Sequence, residues 1–241
     1  MSGNRTNYLR NFSLVLVVTL VLTIPTTELQ AQSSGNPGII PPNARPYGLS
    51  YGRLSALWWK WAFSIPLDKN PLLDDTGANC AEGQNGPVWF LSGTGGGSAT
   101  RRCTIPLGKS IFLPVVTVVA GSGVFDCDPT VSGVPCDVPA LRTLLASLLD
   151  NPTLLEADVD GLPLQNLNAY RAISPEFSIT YPANSYTGVA EGTYTPQVCD
   201  GYWIMLAPLS AGNHTIRVRG IIDFFGSPFE SEATYNLTVG N

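Results

Sequence analysis

Two periodicities divide the chain. Between Ser50 and Ser64, Leu54, Leu57, Trp58 and Trp61 recur at the spacing of one helical face, and Pro66 forbids continuation. A helix capped by Ser50 is expected there. A second is expected from about Val138 to Leu149. There Asp137 can cap, Pro139 sits in the first turn, and Leu141, Leu144, Leu145, Leu148 and Leu149 form a broad apolar stripe. Elsewhere the runs are short, β-branched and aromatic, and bounded by Gly, Pro, Asn and Asp, as strands are. They cover Pro87 to Ser92, Thr100 to Ile105, Ser110 to Val119, Leu154 to Val159, Glu176 to Tyr181, Gln197 to Leu206, His214 to Ile222 and Ala233 to Val239. In the seventh, His214, Ile216 and Val218 face one way and Thr215, Arg217 and Arg219 the other, a half-buried pattern.

Turn chemistry extends this to a topology. Asp160-Gly161 marks a hairpin from Leu154–Val159 into Leu162–Leu167, and the Pro208–Asn213 turn marks another between the sixth and seventh runs. Gly93 to Gly97 reads as a flexible hairpin loop, because a strand follows it and a dinucleotide fingerprint would open a helix. A parallel α/β fold would need helices between most strands. The expected class is therefore all-β: an antiparallel β-sandwich, immunoglobulin-like or jelly-roll, with two helices covering an edge or an open end.

Residues 1–31 depart from both periodicities. Arg5 and Arg10 precede an apolar run from Phe12 to Pro25 and a polar stretch ending Leu29-Gln30-Ala31, the three parts of a secretory signal cleaved after Ala31. The run is too short for the ~20 residues of a bilayer crossing, and no membrane span is expected after its removal. Residues 32–47, rich in Ser, Asn, Gly and Pro, read as a flexible N-terminal arm, and 48–241 as a single sandwich domain. The expected location is secreted or periplasmic. Only 13% of the chain is charged, against about 25% in an average domain. Loss of Arg5, Arg10 and Glu28 from 13 basic and 18 acidic residues leaves 11 and 17, a net charge of about −6. Nucleic acid is thereby excluded as a partner.

In an oxidising compartment the five cysteines favour disulfides. Locality pairs Cys80 with Cys103 and Cys127 with Cys136, leaving Cys199 as a buried thiol. Fifteen arrangements of two bridges are open to five cysteines, and no C-x-x-C suggests zinc.

Several segments together resemble a group of uncharacterised secreted bacterial proteins. They are Trp58-Trp59-Lys60-Trp61, Asn70-Pro-Leu-Leu-Asp74-Asp-Thr-Gly-Ala-Asn-Cys80, Gly86-Pro-Val-Trp-Phe-Leu91, Arg102-Cys103, Gly108-Lys109 to Phe112-Leu-Pro114, Asp200-Gly-Tyr-Trp203 and His214-Thr-Ile. The likeness covers most of the mature chain. It implies an exported bacterial domain and assigns no catalytic residue.

Candidate chemistry is limited by a single histidine. Any serine or cysteine nucleophile would need His214 as its base, and its place at a hairpin strand start reads as structural. Gly108-Lys109-Ser110 lacks the first glycine of a phosphate loop. Glu156-x-Asp158-x-Asp160 has Leu167 where a calcium loop needs glutamate, and Asp126, Asp128 and Asp137 read as a solvated loop with a helix cap. No metal and no cofactor is expected. A glycosidase needs only two carboxylates beside aromatic rings, for which Glu176, Asp200 and Asp223 are candidates. On the first helix Trp59 points about 100° from Trp58, exposed or lining a cleft. Trp59, Asp200 and Tyr202 are the candidate ligand-binding residues. The expected function is a non-enzymatic binding or structural module of the envelope or extracellular space, with a glycan or another envelope protein as partner. The alternative is a carboxylate-based glycoside hydrolase or polysaccharide lyase. In a surface polymer subunit, the third reading, the arm would serve as a donated strand.

Overall fold

Both expected helices are present with the caps their sequences suggest. In α1 (Tyr51–Ser64) the Ser50 side chain accepts the N–H of Arg53, and in α2 (Val138–Leu149) Asp137 accepts that of Ala140. The computed structural model describes residues 36, 38–123, 127 and 136–240. The expected signal segment, and Asp126 and Asp128, lie outside the described residues.

Strands dominate the rest: β1 (Val88–Phe90), β2 (Gly97–Pro106), β3 (Ser110–Gly121), β4 (Leu154–Val159), β5 (Leu162–Pro163), β6 (Arg171–Ile173), β7 (Phe177–Tyr181), β8 (Gly192–Leu206), β9 (Gly212–Phe224) and β10 (Ser227–Gly240). They form two five-stranded sheets. The first runs β1-β3-β8-β6, with β7 also on β8, and the second runs β2-β10-β9-β4-β5.

The chain is thus β-rich with two helices, but not antiparallel throughout. β1 pairs with β3 in parallel, as does β2 with β10 from Gly97↔Ser231 to Pro106↔Gly240. The cause lies in the connections. Gly93–Gly97 links strands of different sheets and so is no hairpin loop, and the Pro208 turn likewise carries the chain from β8 in the first sheet to β9 in the second. One tight hairpin is β9–β10, which closes Phe224 against Ser227. Asp160-Gly161 does turn β4 back onto β5, though β5 ends at Pro163.

The two sheets meet face to face. A Cβ on Gly220 of β9 would lie 2.5 Å from the Val116 Cβ of β3, so only glycine permits this approach. On the opposite face of the first sheet lies α1. Trp58 packs edge-on against Trp203 at 5.4 Å, and Tyr51 against Phe112 at the same distance. Alternation along β8 therefore sends Cys199 and Trp203 toward α1, and Asp200 and Tyr202 the other way. On that side the Tyr202 hydroxyl donates to the Leu149 carbonyl of α2.

Only Arg53, Leu57, Lys60 and Ser64 of α1 are exposed, a single stripe. Leu57, expected on the apolar face, is 41% exposed, while Trp59 is buried. The helix sinks deeper than a 3.6-residue stripe implies because the neighbouring loops wrap it. Within the expected arm, Ile40 N–H donates to the Met205 carbonyl and Ala207 N–H to that of Gly38, so 38–40 extends the first sheet beside the end of β8. At the far edge, the Gln84 side chain gives Phe90 both bonds a strand would: its Oε1 accepts Phe90 N–H at 2.9 Å and its Nε2 donates to the Phe90 carbonyl at 2.7 Å.

Candidate functional site

β1 covers β3 only as far as Phe112, and a bulge between Pro114 and Val116 turns the following residues. Beyond it, no strand among the described residues pairs with that edge of β3. A cavity of about 230 Å³ opens there, walled by Trp58, Trp59 and Phe63 of α1, Tyr186, and Phe224 and Phe229 of the β9–β10 hairpin. The Gly93–Gly95 connection closes one side. A Cβ on Gly95 would lie 2.7 Å from the Tyr186 hydroxyl, so this loop is packed where flexibility was expected.

Trp59 is in the wall, 8% exposed, its ring against Trp58 at 5.0 Å and Phe63 at 4.9 Å. Its Nε1–H donates to Thr117 Oγ1 at 3.3 Å, and that hydroxyl donates to the Asp200 carbonyl at 2.8 Å. The polar side-chain groups of the lining residues include the Trp59 indole N–H and the hydroxyls of Thr94, Thr117, Tyr186, Thr187 and Ser231, with no aspartate or glutamate among them. Among the described residues the Thr187 Oγ1 is buried without a hydrogen-bond partner.

No family model, curated protein or solved structure matches the chain.

Asp200 and Tyr202 are not brought to the cavity. Both are buried on β8 beside their cavity-lining partners Val118 and Val116 of β3 without lining the cavity themselves, and there Arg171 of β6 holds the Asp200 carboxylate and extends to Asp150 at 2.7 Å. Burial raises the Tyr202 hydroxyl above its ordinary pKa, and that hydroxyl is already committed to Leu149. Of the other carboxylates considered for catalysis, Glu176 is exposed just before β7, and Asp223 accepts the Gly226 N–H in the hairpin turn. Neither lines the cavity.

The remaining motifs disperse in space. Glu156 faces Arg217 and Arg219, whereas Asp160 accepts from the Thr215 N–H and faces His214. The described residues contain no cluster of three His, Cys, Asp or Glu able to hold a metal ion. His214 has Nδ1 2.8 Å from Asp160 Oδ2 and Nε2 3.0 Å from the Ser210 carbonyl, with the Ser210 hydroxyl at 3.4 Å. Both nitrogens face acceptors, an arrangement that favours the doubly protonated ring. Hydrogen bonding to Asp160 raises its pKa, and the bonds from His214 and Thr215 lower that of Asp160 against the opposing effect of burial. An imidazole donating from both nitrogens has no lone pair to take a serine proton.

Cys80–Cys103 and Cys127–Cys136 are disulfides, and Cys199 is a buried free thiol. Burial pushes Cys199 up to about 12, with its sulfur 3.4 Å from the Ser55 hydroxyl, which excludes a reactive thiolate.

Sequence reasoning overlooked Arg101. It is 1% exposed, and a signal existed: Ala99, Cys103 and Ile105 are the inward positions of β2, and Arg101 falls on the same period. Phe224 and Phe229 were separated by an unassigned turn, and nothing in the local pattern of Tyr186 marks it as a wall residue.

Proposed function

We propose that this protein is an exported, non-enzymatic binding module that takes a small, largely apolar molecule in the cavity beside Trp59. The observation that carries the reading is the wall itself: six aromatic rings around one opening, with scattered hydroxyls to orient a ligand and no carboxylate pair for hydrolysis. A closed dry cavity of about 150 Å³ can hold benzene, so the space suits a single ring or a short aliphatic chain. A buried Trp59 gives little platform for an open glycan chain. Two disulfides, the signal-like segment and the resemblance to secreted proteins support a periplasmic or extracellular location. The scaffold would be a β-sandwich of two facing sheets, immunoglobulin-like or jelly-roll in type.

Ligand-observed NMR with a set of small aromatic and aliphatic compounds, alongside a glycan set, tests the reading. Apolar compounds should bind the native protein and be lost from Val118→Phe, which fills the cavity, once thermal unfolding shows that variant folded. Binding confined to glycans, or apolar binding indifferent to the filled cavity, would overturn it.

A further inference from the structure

We infer that the ligand of this cavity carries a negative charge: an apolar ring or chain ending in a carboxylate or a similar small anion. The inference rests on the cavity being the ligand site.

Arg101 is the source. Its guanidinium is buried behind the cavity wall with no carboxylate within ion-pair distance among the described residues. Nε donates to the Asp74 carbonyl. Nη1, with two hydrogens, is surrounded by four acceptors: the Ser92 carbonyl and hydroxyl, the Gly93 carbonyl and the Tyr235 hydroxyl, at 2.8 to 3.0 Å. Nη2 is buried with no partner. The guanidinium also lies over the Tyr235 ring, 5.5 Å from its centroid, which offsets part of the charge; these contacts satisfy part of the donor set and supply no formal negative charge, an unusual state for a buried ion. Salt-bridge networks elsewhere in the chain place arginine beside glutamate, as Arg219 lies with Glu230 at 2.6 Å.

The uncompensated charge is close to the cavity. Gly93, whose carbonyl Nη1 binds at 2.8 Å, is itself a lining residue, which puts the guanidinium no more than about 6 Å from the Gly93 Cα. Ser231 and Leu72, also lining, flank the same segment through Thr94 and the Pro71 carbonyl. With no acid in the wall, the arginine's field reaches the cavity without a nearby opposing charge. The Thr187 hydroxyl, buried and unpartnered, can donate to an oxygen placed there. At about 8 Å and an effective dielectric constant near 20, one unit of negative charge gains roughly thirty-fold in affinity.

The test compares three molecules of one shape on the full chain: benzoate, benzamide and benzylamine, titrated by ligand-observed NMR at pH 7. Benzoate should bind at least tenfold more tightly than benzamide, with benzylamine weakest, and should lose that advantage as acid protonates the ligand. Thr187→Val should weaken benzoate severalfold and benzamide less, since a charged acceptor loses more than a neutral one, a comparison that avoids disturbing Arg101. Benzamide or benzylamine binding as tightly as benzoate would overturn the charge inference and leave the cavity as the site. Binding by none of the three, with none among the wider apolar set, would remove the cavity reading and this inference with it.

Discussion

Arg171 grips the buried Asp200 carboxylate through three contacts, Nε to both oxygens at 3.1 and 3.2 Å and Nη2 to Oδ2 at 2.6 Å. The aspartate side chain is 3% exposed and the arginine 24%. This pair ties β6 to β8 beneath α2, and its role is to hold two strands together. Removing one partner strands the other in a poorly solvated place. Asp200→Asn should therefore cost about 3 kcal/mol. For a domain of this size that is a fall of roughly 6 to 12 °C in Tm, read by calorimetry. Ligand affinity at the cavity should be unchanged in the folded fraction.

The His214–Asp160 contact makes stability depend on pH from both ends. His214 has its folded pKa raised, so its contribution is complete below the ordinary imidazole value near 6.5 and disappears as pH rises through the higher folded value. Asp160 has its folded pKa lowered, so its share is complete above about 3.9 and is lost as pH falls through the lower folded value. The interaction is greatest between those limits. His214→Gln should lower Tm more at pH 5.5 than at pH 8.5, and equal losses at the two would show that the ring is not held doubly protonated.

Cys80–Cys103 spans 23 residues and ties the loop before β1 to β2 across the two sheets. Replacing both cysteines by serine should cost about 3 kcal/mol in chemical denaturation, the loop-closure value for a ring of that length.

Cys199 should react with iodoacetamide only after unfolding. Intact-mass analysis is expected to give no adduct on the native protein and one adduct on the denatured, unreduced chain. An adduct formed at native pH without unfolding would contradict a thiol with a pKa near 12.

Helix positions, caps and strand centres were legible because they depend on neighbours a few residues apart. Ser50 and Asp137 cap from their own side chains, and β4 occupies the same six residues as its apolar run. Partnership between strands was not legible. A turn such as Pro208–Asn213 reverses the chain equally well into the same sheet or the facing one, so the local signal for a hairpin and for a crossing is the same. The cavity was half visible: Trp59 stood out on α1, while Asp200 and Tyr202, two residues apart on β8, lie one strand in from it, behind Val118 and Val116 of β3. Arg101 shows the converse error, since a charged side chain was set aside where strict alternation already placed it indoors.

Gln84 covers Phe90 at the edge of the first sheet with a side chain where another protein would place a strand. The main-chain groups of Phe90 are consumed within the molecule, so a second copy approaching this edge cannot pair with Phe90. One amide thus blocks strand addition at Phe90 in a chain that leaves Tyr47 and Leu57 exposed beside the same edge.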